Sequence, residues 1–131
     1  MSQLQYTRCV MRITVNESAE NYLETILILS EMLPVVRSVD IANELGFKKS
    51  SVSVAMKNLR EKEHITVTDA GFIYLTKSGR AIAEMIRERH QLLTMWLTNL
   101  GVPEDIASED ACKLEHVLSK ESFEAIKRTL G

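Results

Sequence analysis

The sequence predicts a mainly α-helical protein with one small β-hairpin, and three observations carry that expectation. Apolar residues recur at helical spacing from 18 to 32 and again from 77 to 100. Pro34, Gly46 and "GVP" (101–103) cut the helical pattern into separate pieces. Between them, "HITVTDAGFIYLT" (64–76) holds two β-favouring runs on either side of Asp69-Ala70-Gly71, a hairpin signal.

Each element follows from local chemistry. Residues 1–16 show no clear period and read as a mobile arm or a short strand. "SAENYLETILILSEM" opens with Ser18 as N-cap and an acidic first turn, runs apolar to Met32, and stops at Pro34. "SVDIANELG" is a short helix capped by Ser38, with Ile41 and Leu45 inward and Gly46 supplying the turn. "KKSSVSVAMKNLREKE" (48–63) is a third helix that buries Val52, Met56 and Leu59. After the hairpin, a long helix spans Lys77 to Leu100. "PEDIASEDACKLEHVLS" (103–119) is a fifth, opened by Pro103, and Ser119 caps a sixth, "KESFEAIKRTL". A helix, a short helix, a glycine turn, a helix and a hairpin make the layout of a winged helix-turn-helix.

The 131 residues suit one compact domain or two small subdomains sharing a core. With 45% hydrophobic and 26% charged residues the balance is that of an ordinary soluble chain. No apolar run is long enough to cross a bilayer, and the start lacks a charged region followed by an apolar core. A cytoplasmic protein without membrane association is expected. Cys9 and Cys112 lie far apart with no export signal, which favours reduced thiols over a disulfide framework.

The net charge of −2 conceals an asymmetry. From 48 to 62 the chain carries Lys48, Lys49, Lys57, Arg60 and Lys62 against Glu61. From 104 to 124 it carries seven acidic residues against Lys113 and Lys120. Two different tasks are implied. The basic part coincides with the second helix of the helix-turn-helix, where Lys48 and Lys49 are placed for phosphates and Ser50, Ser51 and Ser53 for phosphates or base edges. Lys57 and Arg60 sit further along, towards DNA backbone or solvent, and Tyr74, Thr76 and Lys77 on the hairpin side add phosphate contacts. Three-helix units with a hairpin also serve as protein-interaction modules.

The acidic part holds a different pattern. On a helical wheel Ile106, Ala107, Ala111, Leu114, Val117 and Leu118 fill one arc, and Cys112, Glu115 and His116 the opposite one. A solvated face does not normally choose cysteine, so this trio is expected to face another part of the protein. His90 interrupts the seam Ile82-Ile86-His90-Leu93-Leu97 of the long helix, and Glu24 shares a stripe of the first helix with Asn21 and Ile28. A carboxylate there is costly without a partner. Imidazoles, carboxylates, an amide oxygen and a thiol from three helices form a candidate set for a divalent transition metal.

These residues resemble the diphtheria-toxin repressor family of metal-dependent transcription regulators, including its manganese-sensing branch. The likeness covers about 18–130 and is strongest in "EDACKLEHVLS", "RERHQLL", "SAENYLETI" and "LTKSGR". It implies a winged helix-turn-helix DNA-binding domain over 1–76, then a long linking helix with a helical metal-binding and dimerisation domain over 77–131. It implies a homodimer that binds double-stranded operator DNA when loaded with Mn(II) or Fe(II), as a repressor. By position, Cys112, Glu115, His116 and His90 match the family's ligands, and Asn21 and Glu24 fall at first-helix ligand positions. The sequence departs from either branch: Cys112 follows the iron type and Glu24 the manganese type. At Asn21 the toxin-repressor branch has a thioether and the manganese branch a carboxylate. Thr94 stands where a carboxylate often occurs, and Ser108 replaces a histidine of the iron-type second site.

Nitrogen and oxygen donors suit Mn(II) or Fe(II), while a thiolate draws Fe(II), Co(II) or Zn(II), the last two as in vitro substitutes. Apolar residues of the last two helices, Leu114, Val117, Leu118 and Phe123, are the expected dimer interface. The rival reading is a winged-helix regulator that senses a small molecule or an oxidant without metal, with Cys112 as a redox thiol. A metallohydrolase is disfavoured by the lack of a plausible paired general base.

Overall fold

The computed structural model describes residues 19–130. The arm at 1–16 and the cap expected at Ser18 lie outside the described residues. Within them the order is α1 (Ala19–Met32), α2 (Ser38–Leu45), α3 (Lys49–Glu61), β1 (Ile65–Val67), β2 (Ile73–Leu75), α4 (Lys77–Asn99), α5 (Glu104–Leu114) and α6 (Lys120–Leu130). This is the mainly α-helical winged helix-turn-helix, followed by a helical region, that the sequence pattern implies.

Helix α1 is buried from Asn21 to Leu29 without a solvent face, because α2, α3, β2 and α4 pack around it. Its apolar residues join Ile41, Leu45, Val52, Met56, Leu59, Ile65, Ile73 and Ala83 in the larger core. A helix apolar on all sides needs such enclosure. Gly46 ends α2 at φ 69°, in the left-handed region, and its N–H donates to Ala42 O at 2.9 Å. The start of α2 differs from expectation by one residue. Arg37, not Ser38, is the N-cap, and its N–H donates to the Asp40 carboxylate at 2.8 Å. A carboxylate three residues into the helix satisfies the cap backbone without a hydroxyl.

The hairpin pairs Ile65 with Leu75, Thr66 with Tyr74 and Val67 with Ile73 in antiparallel register. Ile65 and Ile73 point into the core and Thr66 and Tyr74 to solvent, the alternation that pleated strands impose. Gly71, at φ 84°, closes the turn with its N–H on Thr68 O. The sheet edge is tied back where the Ile73 N–H donates to Val36 O at 2.8 Å.

Helix α4 begins as expected. Thr76 caps it by accepting from the Gly79 N–H, while its own hydroxyl donates to Glu63 O at 2.7 Å. That hydroxyl is engaged within the fold. Helix α5 is shorter than the expected 103–119: Pro103 precedes it and it ends at Leu114. Arg89 explains the early stop, since its guanidinium donates to Glu115 O and Leu118 O, both at 3.2 Å, and draws the chain out of the helix. Ser119 then accepts from the Ser122 N–H at 3.1 Å and opens α6 as expected. A second, smaller core gathers Leu93, Ala111 and Phe123 with Leu92, Trp96, Leu114, Leu118 and Ile126.

Gly79 joins the wing to α4. A Cβ there would lie 2.0 Å from His64 O, a backbone atom with no room to yield. Gly79→Ala is therefore expected to destabilise the protein by about 1–3 kcal/mol, although alanine is the better helix former. A urea denaturation midpoint equal to or above that of the wild type would contradict this close approach.

Candidate metal centre

Three elements bring polar side chains to one buried place. α1 supplies Glu24 and Asn21, α4 supplies His90, and the end of α5 with its turn supplies Cys112, Glu115 and His116. Glu24, His90 and Glu115 are 0% exposed and Asn21 is 3% exposed. The early end of α5 changes the helical-wheel picture: Glu115 and His116 sit on the turn rather than on a continuing helix, and Ile106 and Val117 are exposed instead of buried. His90 Nδ1 lies 3.0 Å from Glu115 Oε2, and His90 Nε2 lies 3.4 Å from Ser108 Oγ. Donor atoms of His90, Cys112 and Glu115 all fall within 4.8 Å of one another.

His116 bridges the cluster to the surface. Its Nε2 stands 3.2 Å from Glu115 Oε1 without hydrogen-bond geometry, and its Nδ1 lies 3.4 Å from Glu20 Oε1. Burial works to lower its pKa, but the Glu115 and Glu20 carboxylates outweigh burial and raise it to about 9. The same contact with His116 lowers the pKa of Glu20. Glu24 is the opposite case. Burial, and then the charge of Glu115, push its pKa well above 4.5, with Arg87 only partly opposing.

The donor atoms are short of donors. Both oxygens of Glu24, Glu115 Oε1 and His116 Nε2 have no hydrogen-bond partner. Leaving a buried carboxylate uncompensated costs several kcal/mol, so a cation or a proton must balance this site. The close group is His90, Cys112 and Glu115, which Glu24 and His116 flank without joining, and imidazole and carboxylate donors of this kind fit a divalent transition metal. One expectation is corrected: Cys112 is disulfide-bonded rather than a reduced thiol. In that state it has no thiolate to offer, and its sulfur enters the donor set only on reduction. The chain's other cysteine, Cys9, lies outside the described residues.

Two neighbours were missed in the sequence. Glu20 reads as an ordinary acidic first turn and Arg89 as one of several charges in "RERHQLL", whereas Ser108 stands out only as a replaced second-site histidine. Of these only Arg89, next to the seam histidine, carried any signal.

The DNA-side candidates divide by exposure. Lys48, Lys49, Ser50, Ser53, Lys57, Tyr74 and Lys77 are exposed, and Ser51 is half-buried. The four apolar residues expected at the dimer interface divide too. Phe123 is buried within the protomer beneath the Arg89 guanidinium, Leu114 and Leu118 are half-buried beside it, and Val117 is 75% exposed. Among the described residues no helix is long and apolar enough to cross a membrane.

Residues 14–70 match the iron dependent repressor N-terminal DNA binding domain, and residues 76–131 match the metal binding and dimerisation domain of the same repressors. The chain belongs to the iron-dependent repressor family. The family comprises metal-dependent transcription regulators, not enzymes. An uncharacterised HTH-type transcriptional regulator of Methanocaldococcus jannaschii is 35% identical over 115 residues, spanning 86% of this chain and 92% of that protein. The transcriptional regulator MntR of Escherichia coli O157:H7 is 33% identical over 111 residues, spanning 85% and 72%. Among solved structures, a manganese-dependent transcriptional repressor in complex with manganese is 31% identical with a TM-score of 0.78, over 87% of this chain and 53% of that one. The manganese regulator SloR is 28% identical with a TM-score of 0.74, over 88% and 54%. The chain spans about half the length of these two solved proteins.

Glu24 gives this family member a measurable liability. Its folded-state pKa lies above the ordinary 4.5, so above that pH the native protein holds a proton that the unfolded chain has released. Stability of the metal-free protein therefore falls as pH rises from about 4.5. His116 adds a slope of the same sign at higher pH, its contribution being full below 6.5 and lost as pH rises through about 9. Glu24→Gln, an uncharged amide of nearly the same shape, should remove the acidic slope and stabilise the metal-free protein at pH 7 by about 1–3 kcal/mol. Thermal melts between pH 4.5 and 6.5 that keep the wild-type slope in the variant would contradict this.

Proposed function

We propose that the protein is a cytoplasmic, metal-dependent repressor that binds operator DNA as a homodimer when loaded with Mn(II) or Fe(II). The observation that supports this reading most strongly is the donor-poor buried pair Glu24–Glu115 with His90 and His116 between three helices. Glu24, His90, Glu115 and His116 are the proposed ligands, with Asn21 beside them and Cys112 joining when reduced. Lys48, Lys49, Ser50, Ser51, Ser53, Lys57, Tyr74 and Lys77 are the proposed DNA-facing residues. We assign the unit that ends with the wing, over 1–76, to DNA and the unit over 77–131 to metal and pairing.

Glu24, His90 and Glu115 would hold the cation, which would supply the charge that lets both carboxylates ionise. The rest follows from the chain itself. Glu24 stands on α1, the helix around which the DNA-binding module is built, whereas His90 and Glu115 belong to α4 and the end of α5. Burial and the charge of Glu115 keep Glu24 from ionising, so ionising both carboxylates costs this junction stability, and a cation held by both would fix how α3 is carried on the pairing helices. In a symmetric dimer the two α3 helices must stand about 34 Å apart to enter successive major grooves. Whatever binds the DNA-ready arrangement more tightly raises its population, and DNA then raises metal affinity by the same factor. Val117, with Leu114 and Leu118 behind it, lies on the surface proposed for pairing.

A second reading has one observation in its favour. The disulfide at Cys112 suits an oxidant-sensing regulator that needs no metal. It leaves the orphaned oxygens of Glu24 unexplained. Fluorescence anisotropy on promoter DNA with Mn(II), Fe(II) or chelator, under reducing conditions, separates the two. Metal-dependent binding is expected, and Glu115→Ala or His116→Ala should lose it while the protein stays folded and dimeric. Equal binding with metal and chelator would favour the second reading.

A further inference from the structure

Val54 sits in the middle of α3 and is 60% exposed, while Val52, Met56 and Leu59 take the buried arc of the same helix. At 100° per residue, Ser50, Ser51, Lys57 and Asn58 lie within about 60° of it. A β-branched residue lowers helix propensity, and here it adds little to the core. Its polar flanks make a poor apolar patch for a protein partner. The exposed Lys48, Lys49 and Lys57 make the surroundings complementary to phosphate.

Val54 has no hydrogen-bonding group, so it cannot read the donors and acceptors of a base edge. The apolar feature that the major groove offers is the C5 methyl of thymine. We propose that Val54 is a specificity-determining residue that packs on a thymine methyl in each operator half-site. The assignment rests on the reading of α3 as the recognition helix and adds which base chemistry it selects.

The test uses the full chain loaded with Mn(II) under reducing conditions to select duplexes from a randomised pool. Each thymine of the selected duplex is then replaced by deoxyuridine, which removes only the methyl. Wild-type affinity should fall about fourfold at one thymine per half-site. Val54→Ala, which favours the helix, should bind the thymine and deoxyuridine duplexes equally at that position and keep its salt and metal dependence. Val54→Thr, similar in shape with one methyl retained, should keep part of the discrimination. A wild type indifferent to every deoxyuridine, or a Val54→Ala protein as sensitive as the wild type at the same thymine, would overturn the assignment and leave DNA binding intact. Failure of the wild type to select any duplex would overturn the reading of α3, and this assignment with it.

Discussion

Two buried carboxylates, close enough for the charge of Glu115 to raise the pKa of Glu24, are the constraint on which this structure turns. Glu24 and Glu115 are fully buried, and no hydrogen bond reaches either oxygen of Glu24 or Oε1 of Glu115. The larger core reaches along α4 to Ala83, and the smaller one begins at Leu93, so His90 stands in the interval between them. An apolar filling of that interval would weld the two parts of the molecule permanently. A polar filling short of positive charge makes their union conditional. The instability is local and is matched to a ligand, as expected where function needs a bistable junction.

The supporting contacts show how the chain tolerates this. Glu115 Oε2 stands 3.0 Å from His90 Nδ1 and Ser108 Oγ 3.4 Å from Nε2, which orients the imidazole from two sides, while Thr94 donates to the His90 backbone carbonyl at 2.7 Å. Arg89, next in sequence, faces elsewhere and holds the carbonyls at the end of α5, which places Glu115 in the pocket. Adjacent residues on α4 thus divide the work: one is a candidate ligand and the other shapes the turn that carries a second. Glu115, and then Glu20 at the rim, hold the pKa of His116 up at about 9, so the imidazolium is retained near neutral pH and competes with any cation for the site.

Much of the fold was legible because its punctuation is local. Pro34, Gly46 and Gly71 each act within a few residues, and the helices and hairpin fall where those residues demand. The cluster was legible for a related reason: Glu24 and His90 interrupt apolar stripes, an interruption visible without coordinates. The end of α5 was not legible, because its cause is Arg89, 26 residues upstream of Glu115. Helical periodicity therefore carried Glu115, His116 and Val117 onto a helix that had already stopped. The cap of α2 was misplaced by one residue because the Asp40 carboxylate, accepting from the Arg37 N–H, makes Arg37 the cap. The bonding of Cys112 was equally invisible, since spacing alone says nothing of which groups meet its sulfur.

Crystals of the reduced full chain grown with Mn(II), measured on both sides of the manganese absorption edge, test the account most directly. It predicts an anomalous peak in the junction between α1 and α4, bonded to Glu24, His90 and Glu115 together. No peak in that junction, with Glu24 and Glu115 still opposed and without a shared cation, would contradict it.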